Sequence, residues 1–254
     1  MNNITAIVVN GITIYINRQN GCFFDELPMV INTKPICITK IQNPKITSYT
    51  FCLNISNSCN LNCDYCFNIS KNNTKMSSYT AIQKLDELFN KWPDGEKYFI
   101  DLSGKGEPLL NLNTILEIND YCKFLSNKYQ KEIVVSFVTN GLLLTKKTVT
   151  KLQDSGILFG ISIDGPKYIH NLHRKSKNNK DAYNIIIQNV KQIKNKEYLG
   201  CAITITNDSF DLLKSLLDLS KYFNTLSVKP VRSSKFSIDI STSNWKNEYW
   251  KLVE

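Results

Sequence analysis

The chain has 254 residues, 42% hydrophobic and 21% charged, with a formal net charge of +9. That size and apolar content suit one large folded domain with or without a small appendage, so disorder is not the default. The opening MNNITAIVVNG has neither a basic segment nor a long apolar run, and no later stretch nears the roughly 20 apolar residues of a membrane span, so a cytoplasmic protein is expected.

Eight cysteines would form a disulfide framework in a short secreted chain, but in a long chain kept in a reducing compartment they favour metal binding or catalysis. The positive charge raises the question of nucleic acid. However, the lysines are scattered through a chain rich in Lys, Asn and Ile, and KSKNNK (Lys175 to Lys180) is the only local basic cluster. A solvated loop accounts for it, and charge alone assigns no partner.

In chain order, AIVV and ITIY flank Asn10-Gly11. That pair favours a type I′ turn, which needs φ > 0 at both central positions, so a β-hairpin is expected. An irregular stretch with Pro28, Pro35 and Pro44 follows, and residues 1–46 read as a hairpin appendage and a linker. Apolar or β-branched runs at Tyr49–Ile55, Tyr98–Leu102, Ile133–Val138, Ile157–Ile163, Gly200–Ile205 and Thr225–Val228 then predict six strands. Helices are predicted between them at Ser78–Trp92, Leu112–Asn127, Lys146–Asp154, Asp181–Lys194 and Asp208–Phe223. The first is capped by Ser77 or Ser78 and stopped by Pro93-Asp94-Gly95. Such alternation predicts an α/β fold with a parallel sheet, open or curled towards a barrel, whose ligand site lies in the loops after the strands. Residues 233–254 read as the start of a further, truncated segment.

The loop after the first core strand is CNLNCDYCF, with Cys59, Cys63 and Cys66. Structural zinc needs a fourth Cys or His nearby, and His170 and His173 come only about a hundred residues later. Three thiolates on an iron–sulfur cube would leave one metal corner open, which suits catalysis better than structure. Cys22, Cys37, Cys52, Cys122 and Cys201 are spread out and read as packing residues. The loop after the second strand, LSGKGEPLLN, offers Gly104, Gly106, Glu107 and Pro108: close backbone approach, an acceptor for an ammonium group, and a set turn. A plain turn explains that string equally well. Thr139-Asn140-Gly141 follows the third strand. GISIDGP ends the fourth, where Ser162 and Asp164 can hydrogen-bond sugar hydroxyls or simply build an Asp-Gly-Pro turn. Arg174, in the next loop, can pair with a carboxylate or lie solvated on the surface.

Taken together, CNLNCDYC, GKGEP, TNG and SIDGPKYIHNLHR resemble the radical S-adenosylmethionine (radical SAM) superfamily, in particular its branch of sulfatase-maturating enzymes and ribosomal-peptide maturases. The resemblance spans about Ser48 to Arg232. It implies a partial (β/α)6 barrel over residues 47–232, with the N-terminal hairpin as an appendage. Cys59, Cys63 and Cys66 would hold a [4Fe–4S] cluster, with S-adenosylmethionine (SAM) on the fourth iron; reductive cleavage of SAM would yield a 5′-deoxyadenosyl radical. Tyr65, Gly104, Gly106, Glu107, Pro108, Asn140, Ser162, Asp164 and Arg174 would contact SAM: Glu107 and Gly106 at its amino group, Arg174 at its carboxylate. Lys105 reads as an insertion in the family's Gly-Gly-Glu-Pro motif.

The activity so implied is modification of a peptide or protein side chain, with a flavodoxin or ferredoxin as electron donor. A small molecule or an RNA base is the alternative substrate, although no basic-aromatic module for single strands is present and nucleic acid is not expected. A non-catalytic iron–sulfur protein is the third possibility. The hairpin is expected to recruit a leader peptide by strand addition.

Overall fold

The computed structural model describes residues 4–9, 12–17, 23–24, 48–177, 181–197, 199–207, 211–231 and 248. The chain divides into two compact units, residues 1–46 and 47–254.

In the first unit β1 (Ile4–Val9) pairs antiparallel with β2 (Ile12–Asn17), Val9 facing Ile12, and β3 (Phe23–Phe24) pairs with β2. The strand register is that of a hairpin about Asn10-Gly11, and the turn itself lies outside the described residues.

The second unit follows the predicted alternation. Its elements are β4 (Ser48–Cys52), β5 (Leu61–Cys63), α1 (Ser78–Lys91), β6 (Lys97–Asp101), α2 (Leu112–Tyr129), β7 (Glu132–Thr139), α3 (Lys146–Asp154), β8 (Leu158–Ser162), α4 (Lys167–His173), β9 (Arg174–Ser176), α5 (Ala182–Lys191), β10 (Gly200–Ile205), α6 (Leu212–Leu219) and β11 (Thr225–Pro230). Six strands form one parallel sheet in the order β11-β10-β8-β7-β6-β4, a half-barrel whose order follows the chain. Side-chain oxygens of Ser77, Thr145, Asp181 and Asp211 accept the backbone N–H three residues on and cap α1, α3, α5 and α6, each worth about 1 kcal/mol.

Strand alternation divides the sheet into two faces. Phe51, Ile100, Val135, Phe137, Ile161 and Ile203 are buried on one, in a single core with Leu85 and Phe89 of α1, Ile118 of α2, Leu152 of α3, Ile186 of α5 and Leu219 of α6. Burying one such side chain contributes about 1.5–3 kcal/mol, so this layer holds the helices on the sheet. The other, concave face carries Cys52, Asp101, Ser136, Ser162 and Thr204, all partly or fully exposed.

Three features depart from the sequence reading. Cys52 is exposed on the concave face rather than packed in the core, although Cys122 and Cys201 are buried as expected; Cys22 and Cys37 lie outside the described residues. Arg174 belongs not to a loop but to β9, which pairs antiparallel with β5 in a two-stranded sheet of its own. The helix α4 has seven residues behind Pro166, too few to show a helical period.

Candidate functional site

The site is built where the first two strand-to-helix loops meet. Gly106 N donates to Ser56 O (2.9 Å) and Glu107 N to Ser58 O (2.8 Å), tying the GKGEP loop to the chain entering the cysteine loop. Asn54 Oδ1 accepts from Lys105 N (2.9 Å), and the buried Asn68 donates to Lys105 O (3.2 Å) and Asn57 O (3.3 Å). A Cβ on Gly106 would sit 2.2 Å from Ser58 O and 2.7 Å from Ser56 O, both backbone, so only glycine fits. Gly104, at φ +46°, lies against Asn54, and Pro108 opens a short 3-10 turn over Pro108–Asn111.

Glu107 is 2% exposed. Its carboxylate accepts from Thr139 Oγ1 (2.6 Å), Asn140 N (2.8 Å) and Leu109 N (3.0 Å). Burial pushes its carboxyl upward, and those three donors pull it back. The sequence suggested an acceptor for a ligand ammonium. In the structure the carboxylate joins the GKGEP loop to the end of β7 through these contacts. Asn140 continues the link, donating to Asn60 Oδ1 (2.7 Å) with the same amide nitrogen 3.9 Å from Cys59 Sγ.

On the opposite side, Cys63 of β5 faces Arg174 of β9 in register. Arg174 Nε donates to Asp164 Oδ2 (2.8 Å) and Nη2 to Asp164 Oδ1 (3.0 Å), a bidentate pair. Tyr65 Oη donates to Asp164 Oδ2 (2.6 Å), Thr204 N donates to Oδ1 (2.9 Å), and the guanidinium lies 5.6 Å from the Tyr65 ring centre. Burial alone would raise the Asp164 carboxyl, but Arg174 holds it below the ordinary range. The sequence had assigned Asp164 and Arg174 separate contacts; the fold makes them one unit beneath Tyr65. Ser162 ends β8 on the concave face next to this unit.

The fold also brings in residues that the sequence reading left out. His173 lies 5.6 Å from the Tyr65 ring, with Nδ1 3.8 Å from Asp64 Oδ2. Thr204 was legible only as the polar partner of alternating Cys201, Ile203 and Ile205 in β10. Asn68 carried no signal beyond being an asparagine in a loop.

The three thiols share one loop. Burial raises the Cys59 thiol, with Glu107 and Cys66 adding to the rise; burial pushes Cys63 up to about 11, with Asp164 and both other thiols contributing. A cationic centre beside Cys59 and Cys63 would favour their thiolates. No three His, Cys, Asp or Glu side chains among the described residues surround a single-ion position. Three thiols in one loop are a donor set of the kind that holds an iron–sulfur cube with one thiolate per iron. Gly106 lets the GKGEP loop lie directly against the Ser56 and Ser58 carbonyls of the chain entering the cysteine loop.

The family model of the radical SAM superfamily matches residues 53–208. An uncharacterised protein of Methanocaldococcus jannaschii, MJ0907, is 33% identical over 180 residues, covering 70% of this chain and 59% of that protein. A cysteine-type anaerobic sulfatase-maturating enzyme of Clostridium novyi is 28% identical over 164 residues, 60% of this chain and 42% of that enzyme. The chain thus spans about half the length of these relatives. Among solved structures, native anSMEcpe with bound AdoMet and the Cp18Cys peptide superposes with a TM-score of 0.66 at 22% identity, covering 81% of this chain and 58% of that one, which shows a shared fold.

Proposed function

Because this chain belongs to the radical SAM superfamily, we propose that it is an enzyme that cleaves S-adenosylmethionine reductively and modifies a peptide or protein side chain. The observation that carries the reading is the joining of the cysteine loop to both neighbouring loops, by Ser56 and Ser58 on one side and by Cys63 with Arg174 on the other. Cys59, Cys63 and Cys66 would hold a [4Fe–4S] cluster. Backbone about Gly104, Gly106 and Pro108, with Glu107 and Asn140 as its internal brace, would hold SAM together with Tyr65, Ser162, Asp164 and Arg174. When bound, these groups supply one-electron cleavage of SAM and abstraction of a hydrogen atom from substrate.

The protein's own part is position and exclusion of water. Glu107 keeps its loop rigid by accepting from β7. Asp164 holds the Arg174 guanidinium by two hydrogen bonds and the Tyr65 hydroxyl by one, and the layer of helices closes the other face of the sheet. The concave face is left for substrate.

The peptide class is supported by the relative whose name is that of a sulfatase-maturating enzyme and by the anSMEcpe structure that holds a peptide. An acidic electron-transfer protein such as a flavodoxin or ferredoxin would supply the electron. No described helix is long and apolar enough to cross a membrane, and we place the protein in the cytoplasm. The decisive assay is anaerobic reconstitution with iron and sulfide, followed by SAM and dithionite. Formation of 5′-deoxyadenosine supports the reading, and a cluster whose EPR spectrum ignores SAM, with no such product, refutes it.

A further inference from the structure

The concave face of the half-barrel carries little charge. Lys97 and Glu132, at its lower end, neutralise each other at 2.6 Å, and Lys229 stands on β11, four strands from β6 in the sheet order. Asp101 is the exception near the site: it makes no ion pair among the described residues, and its charge is fixed in direction. Ser103 N (2.9 Å) and Ser103 Oγ (2.5 Å) both donate to Oδ1, and Ser103 Oγ is itself held by Val138 N (3.1 Å). Among the described residues the other oxygen, Oδ2, meets only the thiol of Cys52, at 3.9 Å, which is no more than a weak contact.

Asp101 ends β6, immediately before the GKGEP loop, and its Cα partner in the neighbouring strand is Cys52, the last residue of β4 before the cysteine loop. The two side chains thus lie on the open face, next to both loops that would hold the cofactors. A carboxylate left without a cation in a concavity of small and neutral side chains is a strong acceptor for a charged donor. The uncharged isostere Asn would also close this turn onto Ser103 N; what the carboxylate adds is a formal charge on the open face, with no cation paired to it among the described residues.

We propose that Asp101 is the anchor for a cationic group of the substrate, an ammonium or a guanidinium such as a lysine or arginine side chain carries, received at Oδ2 beside Cys52. This rests on the reading of the protein as a peptide-modifying radical SAM enzyme and adds to it a substrate class: a peptide with a basic residue next to the modified position.

Cys52 supplies the reporter. The full chain, reconstituted with cluster and SAM, is treated with iodoacetamide while Ac-Gly-Lys-Gly-amide, Ac-Gly-Arg-Gly-amide or Ac-Gly-Glu-Gly-amide is titrated in, and labelling is read on the Cys52 peptide by mass spectrometry. The basic peptides are expected to slow alkylation, the acidic one to leave it unchanged, and Asp101→Asn to raise the half-protecting concentration of the basic peptides about tenfold. Equal protection by all three peptides, protection by none, or the same half-protecting concentration in Asp101→Asn overturns the assignment. If Asp101→Asn fails to fold, the contrast between basic and acidic peptides on the unaltered chain still decides. Assaying a parallel portion of the unaltered reconstituted chain for 5′-deoxyadenosine, with SAM, peptide and dithionite and without iodoacetamide, separates the two claims: product without basic-peptide protection removes the anchor and leaves the enzyme, whereas selective protection without product leaves the anchor and removes the enzyme.

Discussion

Cys63 and Arg174 are antiparallel partners in the two-stranded sheet of β5 and β9. Through that pairing the loop that bears the three thiols is anchored to a guanidinium that Asp164 holds by two hydrogen bonds. The side chains of this ion pair are 10% and 2% exposed, so neither charge has water to fall back on.

Replacing Arg174 with Ala leaves the Asp164 carboxylate buried without its cation, which is expected to cost about 3–5 kcal/mol of unfolding free energy. Lys in its place restores charge but not the two-pronged geometry, and should recover only part of the loss. Urea denaturation of the unaltered chain and both variants gives the comparison. A loss under about 1 kcal/mol for Arg174→Ala would mean that the pair is incidental to the fold.

Glu107→Gln is close to isosteric but converts one acceptor oxygen into an N–H donor that faces Asn140 N–H or Leu109 N–H. A drop of about 2 kcal/mol is expected, with weaker SAM binding, because the brace of the GKGEP loop loosens. Unchanged stability would show that the carboxylate's charge and its three acceptor contacts do not hold the loop.

Gly106→Ala puts a methyl group 2.2 Å from Ser58 O. Since the obstacle is backbone, the loop must shift. The variant is expected to fold, to assemble a cluster of lower iron content, and to lose the change in the EPR spectrum on adding SAM. A normal SAM response would show that the close approach of the two loops is not required.

The alternation of strands and helices was legible because each run kept a clear period: Lys146–Asp154 and Gly200–Ile205 have the predicted bounds. The three cysteines stood out through type and spacing. The Asp164–Arg174–Tyr65 unit could not be read in the same way, because it depends on β5 pairing with β9. These are three-residue strands with no period of their own, brought together by the crossovers between them. The internal role of Glu107 was hidden for a related reason: a sequence shows that a carboxylate is present, but not that Thr139 and Asn140 donate to it. Cys52 shows the limit of a composition argument, for its neighbours Phe51 and Leu53 are core residues and alternation alone turns it outward.

His170, fully buried with Nδ1 accepting from Asp164 N at 3.4 Å, makes stability depend on pH. Burial lowers its pKa from 6.5 to about 4, against the opposing pull of Asp164. Between those values the unfolded chain takes up a proton that the folded chain does not, so stability falls as pH drops from about 6.5 to about 4 and this contribution then levels off. His170→Asn, which keeps an acceptor, is expected to flatten that part of a stability-against-pH curve. The lowered Asp164 carboxyl acts in a different window: its contribution is present above the usual carboxylate range and is lost at more acid pH, as it protonates in the fold. An unaltered slope between pH 6.5 and 4 in His170→Asn would place the titrating group elsewhere.

The three thiols carry the central claim, and single Cys→Ala variants of Cys59, Cys63 and Cys66 test it against the unaltered chain. Each sample is reconstituted anaerobically with iron and sulfide, reduced with dithionite, and given SAM, and 5′-deoxyadenosine is quantified. The prediction is product from the unaltered chain, and none from any of the three variants while their secondary structure by circular dichroism is retained. The account is contradicted if the unaltered chain binds a cluster yet forms no 5′-deoxyadenosine, or if a variant lacking one of these cysteines forms it as well.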